Sequence, residues 1–431
     1  MRQVLIVSHS YSPAITPRSF RWSAIAEYWV KQGHHIDVVT SWKPGLPRYE
    51  ILNGVQVYRV GGAISEVVRG RLQKPAMASE VRNNKFNSVP DSTKTLAKWV
   101  HDYTWKKVYW PDCACLWYFP ALKKAKQLLA SHRYSNLITV SEPFTGHLVG
   151  LSLKKDLPVM RWIVDIGDPF CFQVYRPTNN HSLYKNLNFT IESNIFKEAK
   201  AISVTTDATL EKYAELFSES ATKIHVIPPL LSLDINKENP SLFFSSKDSK
   251  VRLLFVGTLH KEIRKPDLLL RLFKNLLQTY LSEQLELHLI GNINNCQKYF
   301  QTYKDLLDKK IFCHGKLSRS HALQAMKEAD VLVNLGNEVP YQLPSKVVEY
   351  TGLGKPVLNI AKIAEDSSAT FFKNYPASLC LLGDEEGVDT DQFAKLVQFI
   401  EKLPFVDSSQ LNSWLEHYRI ESISEAYKAL F

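Results

Sequence analysis

Short apolar runs of strand length alternate with helix-length stretches along nearly the whole chain, and they do so in two successive series. In the first series the runs are Gln3 to Ser8, Ile36 to Thr40, Val55 to Val60, Leu137 to Val140, Trp162 to Ile166, Ala201 to Thr205 and His225 to Ile227. In the second they are Leu253 to Val256, Leu285 to Ile290, Ile311 to Cys313, Val331 to Leu335, Pro356 to Ile360 and Leu379 to Leu382. Runs that are apolar throughout, not alternating with polar residues, are buried on both faces; with helices between them they imply parallel sheets built from right-handed βαβ units. The first unit is the clearest. After the opening strand, Thr16 and Pro17 read as a helix cap and first helical residue, and Gly33 as the stop.

Two such series in 431 residues, with a polar stretch at 234 to 250 between them, predict an α/β chain of two doubly wound domains. The expected bounds are 1–228, 229–407 and a C-terminal helix from about Ser408 to Leu430 that packs back toward the first domain. A basic, aromatic insert at about 62–115 interrupts the first series. The opening run, Val4 to Val7, is too short for a leader, and no apolar run reaches the ~18 to 20 residues that span a bilayer. A cytoplasmic protein is expected. Six cysteines without C-x-x-C or zinc spacing read as reduced packing residues. The net charge of +10 suits anionic partners.

Ligands of such sheets bind beyond the carboxyl ends of the strands, so the candidate residues lie just after each apolar run. In PYQLPSKVVEYTGLGKPVL, residues 340 to 358, Ser345 is placed to cap a helix. Free amides and the dipole at that end would suit a phosphate, with Lys346 adding charge; Glu349 lies a turn on, where a carboxylate could accept two bonds from a ribose diol. Leu343 and Pro344 lead into the same turn. In LFVGTLHKEIRKPDL, a strand ends in Gly257 and Thr258, and a loop carries Arg264 and Lys265 before Pro266 opens a helix. Glycine there allows close approach to a diphosphate that the cations would neutralise. Solvated loop charges would look the same in sequence.

In the first half, Arg18 and Arg21 fall in the first turn of a helix, where a cation opposes the dipole unless an anion is near. Glu142 and His147 follow one strand; Asp165 and Asp168 follow another. These are candidates for the acceptor side: Arg18, Arg21, Glu142 and Asp165 for binding, His147 and Asp168 for proton transfer or orientation. A histidine early in a helix is as often a core residue, and Asp168 before Pro169 can simply cap a turn.

The segment PSKVVEYTGLGKPVL resembles the donor-site signature of the retaining family-4 glycosyltransferases of GT-B fold. LFVGTL…RKP resembles that family's diphosphate-gripping element, and DIGDPF resembles an element of its bacterial surface-polysaccharide subgroup, with Gly167 where arginine is commoner. The resemblance implies sugar transfer with retention from a UDP- or GDP-sugar to a lipid-linked or polysaccharide acceptor. It implies two domains facing across a cleft, and neither cofactor nor metal. Glu349 matches the second glutamate of the family's E-x7-E motif, whereas Tyr341 stands at the first; Gln342, Glu338 and the amides near Leu343 lie close enough to substitute. The family's glycine pair in the opening turn is absent, replaced by Ala14, Ile15 and Thr16. Trp99, Trp105, Trp110 and Trp117 with Lys94, Lys98, Lys106 and Lys107 give the insert the character of a membrane-interface segment, so attachment to an anionic inner-membrane face is expected. No nucleic acid partner is expected. Two other functions remain open: a sugar-nucleotide epimerase or hydrolase on the same scaffold, and a non-catalytic nucleotide-binding relative. A nicotinamide dehydrogenase is not expected, since no G-x-G-x-x-G follows a strand.

Overall fold

The computed structural model describes residues 2–62, 108–173, 177–231, 242–244, 249–261, 264–384 and 386–431. They form two compact units. One comprises Met1–Val204, Lys212–Val226 and Ser424–Phe431, the other Thr205–Glu211 and Ile227–Ile423. Each is built on one sheet, and the described strands number fourteen, β1 to β14 in chain order.

In the first unit these are β1 (Gln3–Ser8), β2 (His35–Ser41), β3 (Tyr49–Leu52), β4 (Val55–Val60), β5 (Asn136–Val140), β6 (Arg161–Asp165), β7 (Ala201–Val204) and β8 (Ile224–Val226). They lie in the order β3-β4-β2-β1-β5-β6-β7-β8, parallel except for the edge strand β3. The first helix, Pro17–Lys31, starts as its sequence demands: the Thr16 side chain accepts from Ser19 N, Pro17 is the first helical residue, and Gly33 turns the chain at φ +83°. The sequence reading passed over β3. It pairs antiparallel with β4 through Asn53 and Gly54, both at positive φ. An Asn-Gly pair is the strongest short signal for a two-residue hairpin, so that strand was there to be read.

In the second unit the strands are β9 (Val251–Val256), β10 (Leu285–Ile290), β11 (Ile311–Gly315), β12 (Val331–Leu335), β13 (Val357–Ala361) and β14 (Ser378–Leu382). Their order is β11-β10-β9-β12-β13-β14, all parallel. That is the doubly wound order of a dinucleotide-binding sheet, in which winding reverses between the first and fourth strands. Here the reversal falls between β9 and β12; in the first unit it falls between β1 and β5. The amphipathic helix Asp267–Leu276 buries Leu268, Leu269, Leu270, Leu272, Phe273 and Leu276 in the core of the second sheet. It begins at Asp267, one residue later than Pro266 alone indicated.

The C-terminal segment is not one helix. Helix Ser408–Leu415 runs into a tight turn at Glu416–Tyr418, the chain is extended at Arg419, and a second helix covers Ile420–Lys428. Trp414 and Tyr418 pack on a core cluster of the second unit, while Ser424–Phe431 belongs to the first. One straight helix cannot serve two packing surfaces. Among the described residues, no helix is long and apolar enough to cross a membrane.

Candidate functional site

The second unit brings its candidates to the point where the sheet's winding reverses. Gly257 and Thr258 follow β9, and Asn337 and Glu338 follow β12. The loop bearing Arg264 is closed on itself by paired backbone bonds between His260 and Arg264, 2.8 and 3.1 Å. From it Arg264 Nη2 donates to Asn337 Oδ1 (2.7 Å), spanning the reversal between β9 and β12. Asn337 Nδ2 in turn donates to the carbonyl of Gln342 (3.0 Å), which also accepts from Ser367 Oγ (2.8 Å). Gln342 is thus fixed here by its backbone.

Glycine is required at this strand end. Gly291, after β10, sits at φ +132°, and a Cβ there would lie 1.8 Å from the carbonyl oxygen of Gly257. At Gly257 itself an added Cβ would lie 3.7 Å from Arg264 Nη1. The bare backbone therefore leaves the guanidinium a neighbour without side-chain bulk, as close approach of a diphosphate would need.

Lys265 Nζ lies 3.8 Å from Glu338 Oε1, and Lys362 Nζ lies 3.9 Å from the same oxygen while binding Asp267 at 2.7 and 2.9 Å. A small recess is lined by Lys265, Leu268, Gly336, Glu338 and Lys362. Asp366, fully buried, caps the helix Ser367–Phe372 by accepting from Ala369 N and also accepts from Asn359. Burial pushes its carboxyl up, against those bonds and the nearby Arg264 cation.

Helix Lys346–Gly352 opens with Ser345 in helical conformation, exposed, and making no capping bond; the cap expected from sequence is not formed. A serine already turned into αR cannot swing its oxygen over the following amides, a geometry that needs an extended cap residue. Pro344 is buried, and Leu343 packs on the core cluster behind it. Glu349 is buried between two cations: Lys346 Nζ bonds Oε2, and Arg319 Nη2 lies 3.5 Å from Oε1. Arg319 was missed in the sequence. Its signal was Ser318, which caps helix Arg319–Glu328 by accepting from His321 N, directly after β11.

The first unit arranges its candidates differently. Asp165, at the end of β6, is 1% exposed. Its Oδ2 accepts from Trp22 Nε1 (2.7 Å) and Arg18 Nη1 (3.2 Å), its Oδ1 from Tyr427 Oη (2.6 Å) and Ser203 Oγ (2.8 Å). Arg21 Nη2 donates to the same Tyr427 hydroxyl (3.1 Å). Burial alone would raise the Asp165 carboxyl, but Arg18 and Arg21, with the Tyr427 and Trp22 bonds, outweigh it and hold it below the usual range. Gly167 makes room for this: a Cβ there would stand 2.3 Å from Arg18 Nη2. Asp165 and Arg21 are therefore closed inside the unit and linked through the Tyr427 hydroxyl, not presented to an acceptor.

His147 is a core residue as well. It is fully buried, with Nδ1 2.7 Å from Thr139 Oγ1, which accepts from Trp162 Nε1 (2.9 Å). Burial lowers its pKa to about 3. Placed thus, it is neutral and shielded, unlike a group exchanging protons with an acceptor. Helix Thr145–Asp156 buries its first turn against the sheet, which carries His147 inward with it. Glu142 is exposed and Asp168 half-buried, so these two remain on the surface. Trp110 and Trp117 of the basic, aromatic insert are anchored in the unit, Trp110 through Nε1 to Asn188 Oδ1 (3.0 Å). Trp99, Trp105 and the four lysines lie outside the described residues. Among the described residues no three His, Cys, Asp or Glu side chains are grouped as metal ligands.

Two units, each with a doubly wound sheet, define the GT-B class of fold, and in the second unit polar side chains meet at the β9/β12 reversal. Residues 250–368, which include that point, match the family model described as glycosyl transferases group 1. No curated protein matches the chain. Solved structures do. A glycosyltransferase from Rickettsia africae is 12% identical, covering 100% of this chain and 98% of that one, at a TM-score of 0.59. WaaG, a glycosyltransferase involved in lipopolysaccharide biosynthesis, is 14% identical over 99% and 98%, at 0.51. The UDP-GlcNAc 2-epimerase of Methanocaldococcus jannaschii is 12% identical over 100% and 99%, at 0.52. These likenesses are of fold.

Proposed function

We propose that the chain is a glycosyltransferase that moves a sugar from a UDP- or GDP-sugar to a lipid-linked or polysaccharide acceptor, with retention. The observation that carries this reading is the Arg264–Asn337 bond across the β9/β12 reversal, inside the segment that matches glycosyl transferases group 1. In this reading Arg264 and Lys265 grip the donor diphosphate and neutralise the charge that builds on it as the sugar leaves. Glu349, paired with Lys346 and Arg319, turns a carboxylate oxygen to the ribose. Glu338, beyond β12 and three residues before Tyr341, stands in for the missing first glutamate and serves the transferring sugar. No metal or cofactor takes part.

The test is turnover. The purified protein, given UDP- and GDP-sugars with an oligosaccharide or lipid-linked saccharide acceptor, should form a glycoside whose anomeric configuration, read by NMR, matches the donor. An inverted product would remove retention. Free sugar or an epimerised donor, formed without acceptor, would favour the second reading, an epimerase or hydrolase, which the likeness to the 2-epimerase supports. Nucleotide binding with no turnover of any donor would make the chain a non-catalytic relative. A cytoplasmic place on the inner membrane face belongs to the same proposal, motivated by the net charge of +10. Co-sedimentation with anionic vesicles at low salt, absent with neutral ones, is the expected result.

A further inference from the structure

Over the carboxyl ends of β1, β2 and β4 lies a small hollow of about 50 Å³ whose walls include Trp42 and Trp117. Val60 also borders a second, more open hollow of about 420 Å³, which runs over the β3–β4 hairpin beside Tyr49, Tyr58 and Lys124. Arg48 stands where the two meet. Its guanidinium carbon lies 4.1 Å from the centre of the Trp42 ring, and its Nη1 donates to the carbonyl of Gly61 (2.5 Å). Trp42 is itself held by a bond from Nε1 to Leu46 O (2.8 Å).

The floor of the outer hollow is aromatic. The Tyr49 and Tyr58 rings are 5.0 Å apart, and Lys124 Nζ sits 4.2 Å above Tyr58. Glu50, the nearby carboxylate, is engaged by Arg59 at 2.5 Å. Among the described residues no carboxylate is within ion-pair distance of Arg48 or Lys124. Flat aromatic faces suit the C–H faces of pyranose rings, and the outer hollow alone, at about 420 Å³, has the size of small-ligand sites, about 300–1,000 Å³. An arginine stacked on indole and tied at one nitrogen keeps its remaining N–H groups pre-arranged for a carboxylate or phosphate.

We propose that the outer hollow binds an anionic saccharide, with a sugar over the Tyr49 and Tyr58 rings and its carboxylate or phosphate between Arg48 and Lys124. Calling that saccharide the acceptor rests on the transferase reading above; the binding itself does not. The groove thereby narrows the acceptor class to a charged glycan chain.

Calorimetric titrations at physiological ionic strength with trigalacturonate, 6-phosphomaltotriose, neutral maltotriose and a thymidine tetranucleotide test it. At least one anionic trisaccharide should bind about tenfold tighter than maltotriose, a difference of about 1.4 kcal/mol. Preference for the carboxylated or the phosphorylated probe identifies the charged group; tight binding of both means either is taken. The double variant Arg48→Gln, Lys124→Gln should lose the preference, and Tyr49→Ala should weaken every saccharide, with melting temperature and UDP binding unchanged. The proposal is overturned if charged and neutral probes bind alike, if the preference survives the double variant, or if the tetranucleotide binds tightest. Saccharide binding without any sugar transfer would leave the groove standing and remove the transferase reading. Transfer to a neutral acceptor, indifferent to the double variant, would keep the transferase reading and remove the groove as its acceptor site.

Discussion

The two sheets reverse their winding in the same way, but the polar residues near the two reversals are put to different use. In the second unit, Arg264, Lys265, Lys346 and Arg319 are part-exposed, and the groups facing them are an amide, backbone carbonyls and carboxylates. In the first unit, Asp165 has both oxygens filled by protein donors and is shut from water. Sequence alone ranks Arg264, Lys265 and Asp165 as equals, since each is a charged residue at or beyond the carboxyl end of a buried strand. Burial separates them. A charge with all its partners inside the protein organises the fold, whereas one left partly wet is free to meet a ligand.

The largest effect that bears on this contrast should come from Asp165→Ala. It would leave Arg18, Trp22, Ser203 and Tyr427 without their common acceptor, and breaking a buried charged pair costs about 3–5 kcal/mol. Urea denaturation should show the loss, with nucleotide affinity of the remaining folded protein unchanged. A loss below about 1 kcal/mol would mean that the network is not the fixed element described. Gly291→Ala comes next. Its φ of +132° and the 1.8 Å approach to Gly257 should cost about 1–3 kcal/mol from strain alone, and the displaced Gly257 should weaken nucleotide binding as well. Such a variant with wild-type stability and affinity would show that this strand end is not tightly built.

His147 supplies a pH test. Its pKa is lowered to about 3 in the fold from the ordinary 6.5, so the unfolded chain binds a proton that the folded one refuses. The stability due to its neutral burial is complete above pH 6.5 and is lost as pH falls from 6.5 toward 3, by at most about 1.4 kcal/mol per pH unit. Denaturation midpoints followed from pH 7 to 5 should fall less steeply in His147→Gln than in the wild type. Equal slopes would show that His147 does not titrate in this way. The smallest effect belongs to Ser345→Ala. With no capping bond to lose, it should change stability by less than about 0.5 kcal/mol; a formed cap would cost about 1 kcal/mol.

Much of the architecture was legible because continuous apolar runs have few alternatives. The strands at Val55–Val60, Leu285–Ile290 and Val331–Leu335 fall where the residues place them. Strand β3 was overlooked because its burial alternates and its Asn-Gly turn was not weighed. The site was legible in part. Position after a strand locates Arg264 and Glu349, but not which side chains face one another. Nothing local distinguishes Asp165 from Asp168, because the partners that fill Asp165 come from residues 18, 22, 203 and 427. Arg319 stayed hidden for the same reason: its link to Glu349 exists only once β11 and the helix Lys346–Gly352 are folded side by side.

The central claim, that the cations at the β9/β12 reversal hold a nucleoside diphosphate, is tested most directly by calorimetric titration of UDP, GDP and the parent nucleosides into the wild type and Arg264→Ala. The account predicts that one diphosphate binds well and its nucleoside at least about tenfold more weakly, and that Arg264→Ala, with an unchanged melting temperature, loses about 10- to 100-fold of the diphosphate affinity, about 1.4–2.8 kcal/mol. Diphosphate affinity that is the same in wild type and variant, or no better than that of the nucleoside, would contradict it.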